Sequence, residues 1–75
     1  MNNKRRKQIK ENIDMLEVVK CNLENILNEE QDYFDNMPEN LQGSIRGEVS
    51  EEAIDLLNEV IDLIGDCIDN LNGIE

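Results

Sequence analysis

Histidine and tryptophan are absent from these 75 residues, and tyrosine, phenylalanine and proline each occur once. Without histidine the commonest general base and metal ligand is gone, which removes triads, His-ligated zinc and most acid–base sites. Two cysteines supply neither a disulfide framework nor an all-cysteine zinc site, so no metal and no cofactor is expected. No apolar run approaches the ~20 residues that cross a bilayer, and no signal-peptide core follows the basic start. These absences point to a soluble, cytoplasmic protein that is not an enzyme and has no membrane partner.

Positive charge is scarce too, and it is unevenly placed. Eighteen Asp and Glu oppose seven Lys and Arg, a net charge of −11. Residues 1–10 hold five of the cations (Lys4, Arg5, Arg6, Lys7, Lys10) and no acid. Residues 48–75 hold nine acids and no base. A body this acidic repels a phosphate backbone, so direct nucleic-acid binding is not expected, while the basic start remains able to touch an anion.

What is present is helical periodicity. With Ile13 as heptad position a, the a sites read Ile13, Lys20, Leu27 and Phe34, the d sites Ile9, Leu16, Leu23 and Glu30, and Val19, Ile26 and Tyr33 fall at g. Glycine and proline are missing from residues 1–37, and the spacing predicts one helix over about 4–36. A second helix is predicted over about 47–73, where AIDLLNE, VIDLIGD and CIDNLNG form three successive heptads. There positions a, b, d and e are apolar, an arc of about 160°. One partner helix covers a narrow seam and leaves a second stripe in water. The expected architecture is therefore all-α: a single-domain, two-helix antiparallel hairpin over 1–75 that self-associates into a homo-oligomeric helical bundle of two or more chains. Ile54, Leu57, Ile61, Ile64, Ile68 and Leu71 are the expected oligomer interface.

The elbow, 37–46, contains Pro38, which disfavours helix at Met37 and removes a donor. Ser44 is placed to cap the second helix, and Leu41 to plug the bundle end. Asn40, Gln42, Ser44 and Arg46 crowd this segment with polar groups, Tyr33 stands just before it, and helix-opening N–H groups favour anions. Two hairpins packed antiparallel would bring Arg5 and Arg6 of one chain to Ser44 and Arg46 of the other. Arg5, Arg6, Tyr33, Asn40, Gln42, Ser44 and Arg46 are thus the candidate ligand residues, for a small anion. The plainer expectation is that the basic start pairs with acids at the end of helix 2 and the elbow residues serve as caps. Asp55, Asp62 and Asp69 recur at c, too far apart for a calcium loop and best read as a solvated face. Cys21 and Cys67 have no histidine to activate them, so no catalytic residue is expected.

MNNKRRKQIKENID, EEQDYFDNMPENLQGSIRGE and EEAIDLLNEVIDLIGDCID together resemble a family of short acidic helical proteins of Firmicutes and their prophages. The resemblance covers nearly the whole chain, and its most specific part is D-N-M-P-E-N-L-Q-G-S at 35–44. Members of that family follow this motif with Arg-Tyr-Glu, whereas Arg46 here precedes Gly47 and Glu48. The resemblance implies a phage-type binding protein that sequesters or blocks a host defence component. Three versions follow: an oligomer that captures a small anionic nucleotide signal, which is favoured; an acidic protein that blocks a nucleic-acid-binding host effector; and an assembly adaptor using the apolar face of helix 2.

Overall fold

The structure is a computed structural model that describes all residues 1–75, and it is all-helical, with 87% of residues in helices and no strand. α1 spans Asn3–Asp35, α2 spans Glu39–Gln42 and α3 spans Ile45–Asn72. No helix is long and apolar enough to cross a membrane.

α1 begins where Asn2 Oδ1 accepts the Arg5 backbone N–H at 2.8 Å, a side-chain N-cap. It stops ahead of Pro38. Asn36 closes it, with its backbone N–H and its side-chain Nδ2 both donating to the Asp32 carbonyl at 3.0 and 2.8 Å. Pro38 stands at the cap position of α2, and no side chain caps that turn. α3 opens on Ser44, whose Oγ accepts the Gly47 N–H at 3.4 Å. The chain reverses between α1 and α3 without any residue at positive φ.

The two long helices pack along one another in a rod 58 × 15 × 13 Å. They run in opposite directions: Arg6 near the start of α1 bonds Glu75 just beyond α3, Ile9 and Ile13 border one opening with Leu71, and Lys20 lies over Gly65. Burial follows a 3–4 step in both. In α1 the a and d positions Ile9, Ile13, Leu16, Lys20, Leu23, Leu27, Glu30 and Phe34 are all buried or half-buried, and Gln31 joins them. In α3 the b and e positions Gly47, Ser50, Ile54, Leu57, Ile61, Ile64, Ile68 and Leu71 are all buried or half-buried, with Ala53 and Gly65 half-buried at their flanks. This 3.5-residue repeat is the signature of two helices wound gently about a shared seam.

The stripe expected to bind other copies is therefore used differently. Ile54, Leu57, Ile61, Ile64, Ile68 and Leu71 form the seam against α1, and Ile54 is only 7% exposed. Their reach toward α1 explains the choice: b and e are mostly β-branched or leucine, whereas a and d include Ala53, Cys67 and Asn70. The larger stripe gains more on burial, roughly 1.5–3 kcal/mol per fully covered Leu or Ile.

Only six residues are buried in all: Ile13, Met37, Gly47, Ser50, Ile54 and Ile68. The plug at the elbow is Met37, 8% exposed, whereas Leu41 stands out at 41%. Pro38 sets the chain so that Met37 turns inward as α1 ends. Gly47 is small because the end of α2 lies against it, and Ser50 is 1% exposed one turn further along α3. A Cβ on residue 47 would come within 2.7 Å of the Gln42 Cα and overlap its carbonyl group.

Candidate functional site

Two regions hold surface chemistry: the elbow and one long side of the helix pair. At the elbow, Tyr33 and Arg46 line a pocket of about 270 Å³ with Asn36, Met37, Pro38 and Leu41. Tyr33 comes from the last turns of α1 and Arg46 from the first turn of α3, so the chain reversal is what unites them.

The other elbow candidates are committed to the backbone. Gln42 Nε2 donates to the Phe34 and Met37 carbonyls at 3.3 and 3.1 Å, tying off the end of α1. Ser44 Oγ donates to the Leu41 carbonyl while accepting from Gly47, so both its roles are filled. Asn40 is exposed on α2 and lines neither pocket. Arg5 and Arg6 sit at the far end of the rod. There Arg6 Nε donates to the Glu75 carbonyl at 2.8 Å and its Nη1 to Asn3 Oδ1 at 3.1 Å. Arg6, Ile9 and Lys10 of α1 with Leu71 and Ile74 border a second opening of about 160 Å³. A single chain thus keeps the two basic candidates and the elbow about a rod's length apart.

The electrostatics of the elbow are unfavourable for an anion. Residues 29–52 carry eight acids (Glu29, Glu30, Asp32, Asp35, Glu39, Glu48, Glu51, Glu52) against Arg46 alone. No cluster of three or more Cys, Asp or Glu is placed to hold a metal ion.

The long side is built from both helices. At about 100° per residue, position g of α1 flanks its seam on one side, and positions a and d of α3 flank theirs. Because the helices run in opposite directions, these flanks fall on the same side of the pair. Val19, Ile26 and Tyr33 of α1 are exposed there beside Val49, Leu56, Val60 and Leu63 of α3, with Leu63 54% exposed. Cys67 continues the row and is free and exposed. The opposite side carries Lys10, Glu17, Glu24 and Gln31 of α1 and Glu51, Asn58, Gly65 and Asn72 of α3, with no large apolar group among them. One side is apolar and the other is polar.

The apolar a and d positions of α3 were legible as heptad sites, but their assignment to the outside was not. Gly47 and Ser50 were also missed as seam residues. Each lies one heptad before an inward residue, Ile54 and Leu57, which is the signal that places them.

Scans against protein-family models, curated proteins and solved structures return no match to this chain.

Proposed function

We propose that this chain is a non-catalytic, phage-type binding protein: an antiparallel helical hairpin that self-associates and blocks a component of host defence. The observation that carries this reading is the division of the hairpin into an apolar side and an acidic remainder. Val19, Ile26, Leu56, Val60 and Leu63 form a row that nothing in the chain covers, larger than the scattered apolar residues usual on a monomer. Once copies pair through that row, the back of α3 left outside is rich in carboxylate: Glu48, Asp55, Asp62 and Asp69 in one line, Glu52, Glu59 and Asp66 in another, all exposed.

An oligomer with such an exterior is suited to a basic protein surface, through steering and complementarity. A nucleic-acid-binding host effector is a target of that chemistry. The link to host defence rests on the resemblance to short acidic prophage proteins.

The test is plasmid survival in a host that expresses the chain with a plasmid-cleaving nuclease effector. Protection is expected, with loss for the combined Asp55→Asn, Asp62→Asn and Asp69→Asn variant and none for Arg46→Glu. Protection that vanishes with Arg46→Glu and withstands the triple change would contradict this reading.

A second reading is favoured by one observation, the convergence of Tyr33 and Arg46 on the elbow pocket. A phenol ring beside a guanidinium suits a nucleotide, one group stacking and the other pairing with phosphate. Native mass spectrometry with a cyclic dinucleotide as probe tests it. A bound mass lost on Arg46→Glu supports capture of a small anionic signal, and a bare oligomer at saturating probe removes it.

A further inference from the structure

We infer that the open end of the helix pair is a docking cleft for a short acidic peptide segment that presents one large apolar side chain between carboxylates. The inference goes beyond the carboxylate-mediated blocking proposed above and uses a different surface.

The cleft forms where the seam runs out. α3 stops at Asn72, and Arg6 near the start of α1 is met instead by Glu75, beyond the helix. The seam therefore ends on Ile9, Ile13 and Leu71, and Ile74 adds a further apolar wall. Ile13 is buried at the floor and Ile74 is 43% exposed at the edge. The opening measures about 160 Å³, close to the ~150 Å³ that holds a benzene-sized group. It takes one leucine or phenylalanine side chain.

Charge says what must accompany that side chain. Arg6 and Lys10 stand at the rim. Arg6 spends N–H groups on the Glu75 carbonyl and Asn3 Oδ1, and the rest of its five donors are left for a carboxylate. Residues 1–10 hold five of the seven cations, and the first turn of α1 contains no acid, so these cations oppose the helix dipole. An anion at this end offsets both the repulsion and the dipole. Residues 1–13 and 68–75 make up the open end, where Glu11, Asp69 and Glu75 are the acids against those five cations. Acids further along the 58 Å rod lie beyond the ~8 Å screening length of physiological salt, so the net charge of −11 does not govern this end.

The same pattern limits the length of the partner. Lys10 and Asn72 belong to the polar side of the pair, so the cleft opens away from the apolar row and stays accessible when copies associate through that row. On this side α1 presents Lys7 and Lys10 at positions b and e, then Asp14 and Glu17 at the next b and e. The sign changes within about one turn. A nucleic-acid backbone or a lipid surface is charged without interruption and would run onto those carboxylates. A segment of four or five residues, at ~3.4 Å each, crosses the 15 Å width of the rod and ends there.

Fluorescence anisotropy with the unmodified chain tests the inference, using a labelled pentapeptide with leucine at its centre and glutamate at every other position. Saturable binding is expected, about tenfold weaker when serine replaces the leucine and at least about tenfold weaker with Lys10→Glu. Ile74→Ser should weaken it likewise. Asn28→Asp combined with Asn58→Asp lowers the net charge as much as Lys10→Glu does, at exposed positions away from the cleft, and should leave binding unchanged. Circular dichroism shows that each variant remains helical. Absence of binding at millimolar peptide overturns the inference. Equal binding of the serine peptide, or an equal loss in the paired asparagine variant, overturns it too, because charge alone would then account for the attraction. Retention on phosphatidylserine vesicles or on single-stranded DNA without peptide binding overturns it in favour of a membrane or a nucleic acid.

Discussion

Gly47 meets the Gln42 carbonyl so closely that no side chain fits between them: a Cβ there would stand 2.7 Å from the Gln42 Cα. By helix propensity alone Gly47→Ala in the first turn of α3 would gain up to ~1 kcal/mol. The overlap with backbone reverses the sign. Gly47→Ala is expected to lower stability by about 2 kcal/mol, because α2 must shift off α3 to relieve it. Urea unfolding followed by circular dichroism measures it, and an unchanged or raised midpoint would contradict the close approach.

Gly65 is the contrasting case in the same helix. A Cβ there would meet only the flexible end of Lys20, with Nζ at 3.6 Å, an ordinary contact. Gly65→Ala is therefore expected to stabilise the protein by roughly 0.5–1 kcal/mol through helix propensity. The pair of substitutions, measured side by side, separates a steric requirement from a simple propensity cost.

Ser50 is 1% exposed and its Oγ has no hydrogen-bond partner. An unpaired buried hydroxyl carries a desolvation cost with nothing to offset it. Ser50→Ala keeps the small volume this buried position holds and removes that cost, so stability should rise by about 1 kcal/mol. Thermal melts of the two proteins decide the sign.

The two stripes of α3 should respond differently to substitution. Ile54→Ala opens a gap in the seam and is expected to cost about 3 kcal/mol at every protein concentration. Leu63→Lys leaves the seam intact, so helicity should persist while the dependence of Tm on concentration disappears. If Leu63→Lys abolished helicity and Ile54→Ala only dissociated the oligomer, the inward and outward stripes would be exchanged.

Gln42 holds the end of α1 through the Phe34 and Met37 carbonyls. Gln42→Ala should cost about 1 kcal/mol and loosen the elbow, while Asn40→Ala, exposed on the same turn, should change little. Hydrogen exchange at residues 36–44 reads the difference directly.

The two long helices were legible because their apolar spacing has no competitor: a 3–4 repeat over some thirty residues fits only a helix. The inward face of α3 was not. Its a, b, d and e sites are all apolar, so periodicity bounds an arc of about 160° without saying which half meets α1. The residues that extend the seam are Gly47 and Ser50, buried one heptad before Ile54 and Leu57, and their small size hides them from an apolar-periodicity reading. Met37 was hidden by the neighbouring Pro38, which reads as a chain break although it turns Met37 into the core. At the candidate site, the approach of Tyr33 to Arg46 depends on the elbow's path, and a path of that kind leaves no repeating signature. The engagement of Gln42 with the end of α1 likewise needs the three-dimensional turn, because a glutamine in a loop carries no mark of its acceptor.

Sedimentation equilibrium on the unmodified protein, over the widest accessible concentration range and beside Leu63→Lys, bears on self-association most directly. The unmodified chain is expected at twice the 8.7 kDa monomer mass or more, and Leu63→Lys at the monomer mass with its helical spectrum retained. An unmodified chain that stays at 8.7 kDa throughout would contradict self-association and leave the apolar side of the helix pair to a different protein.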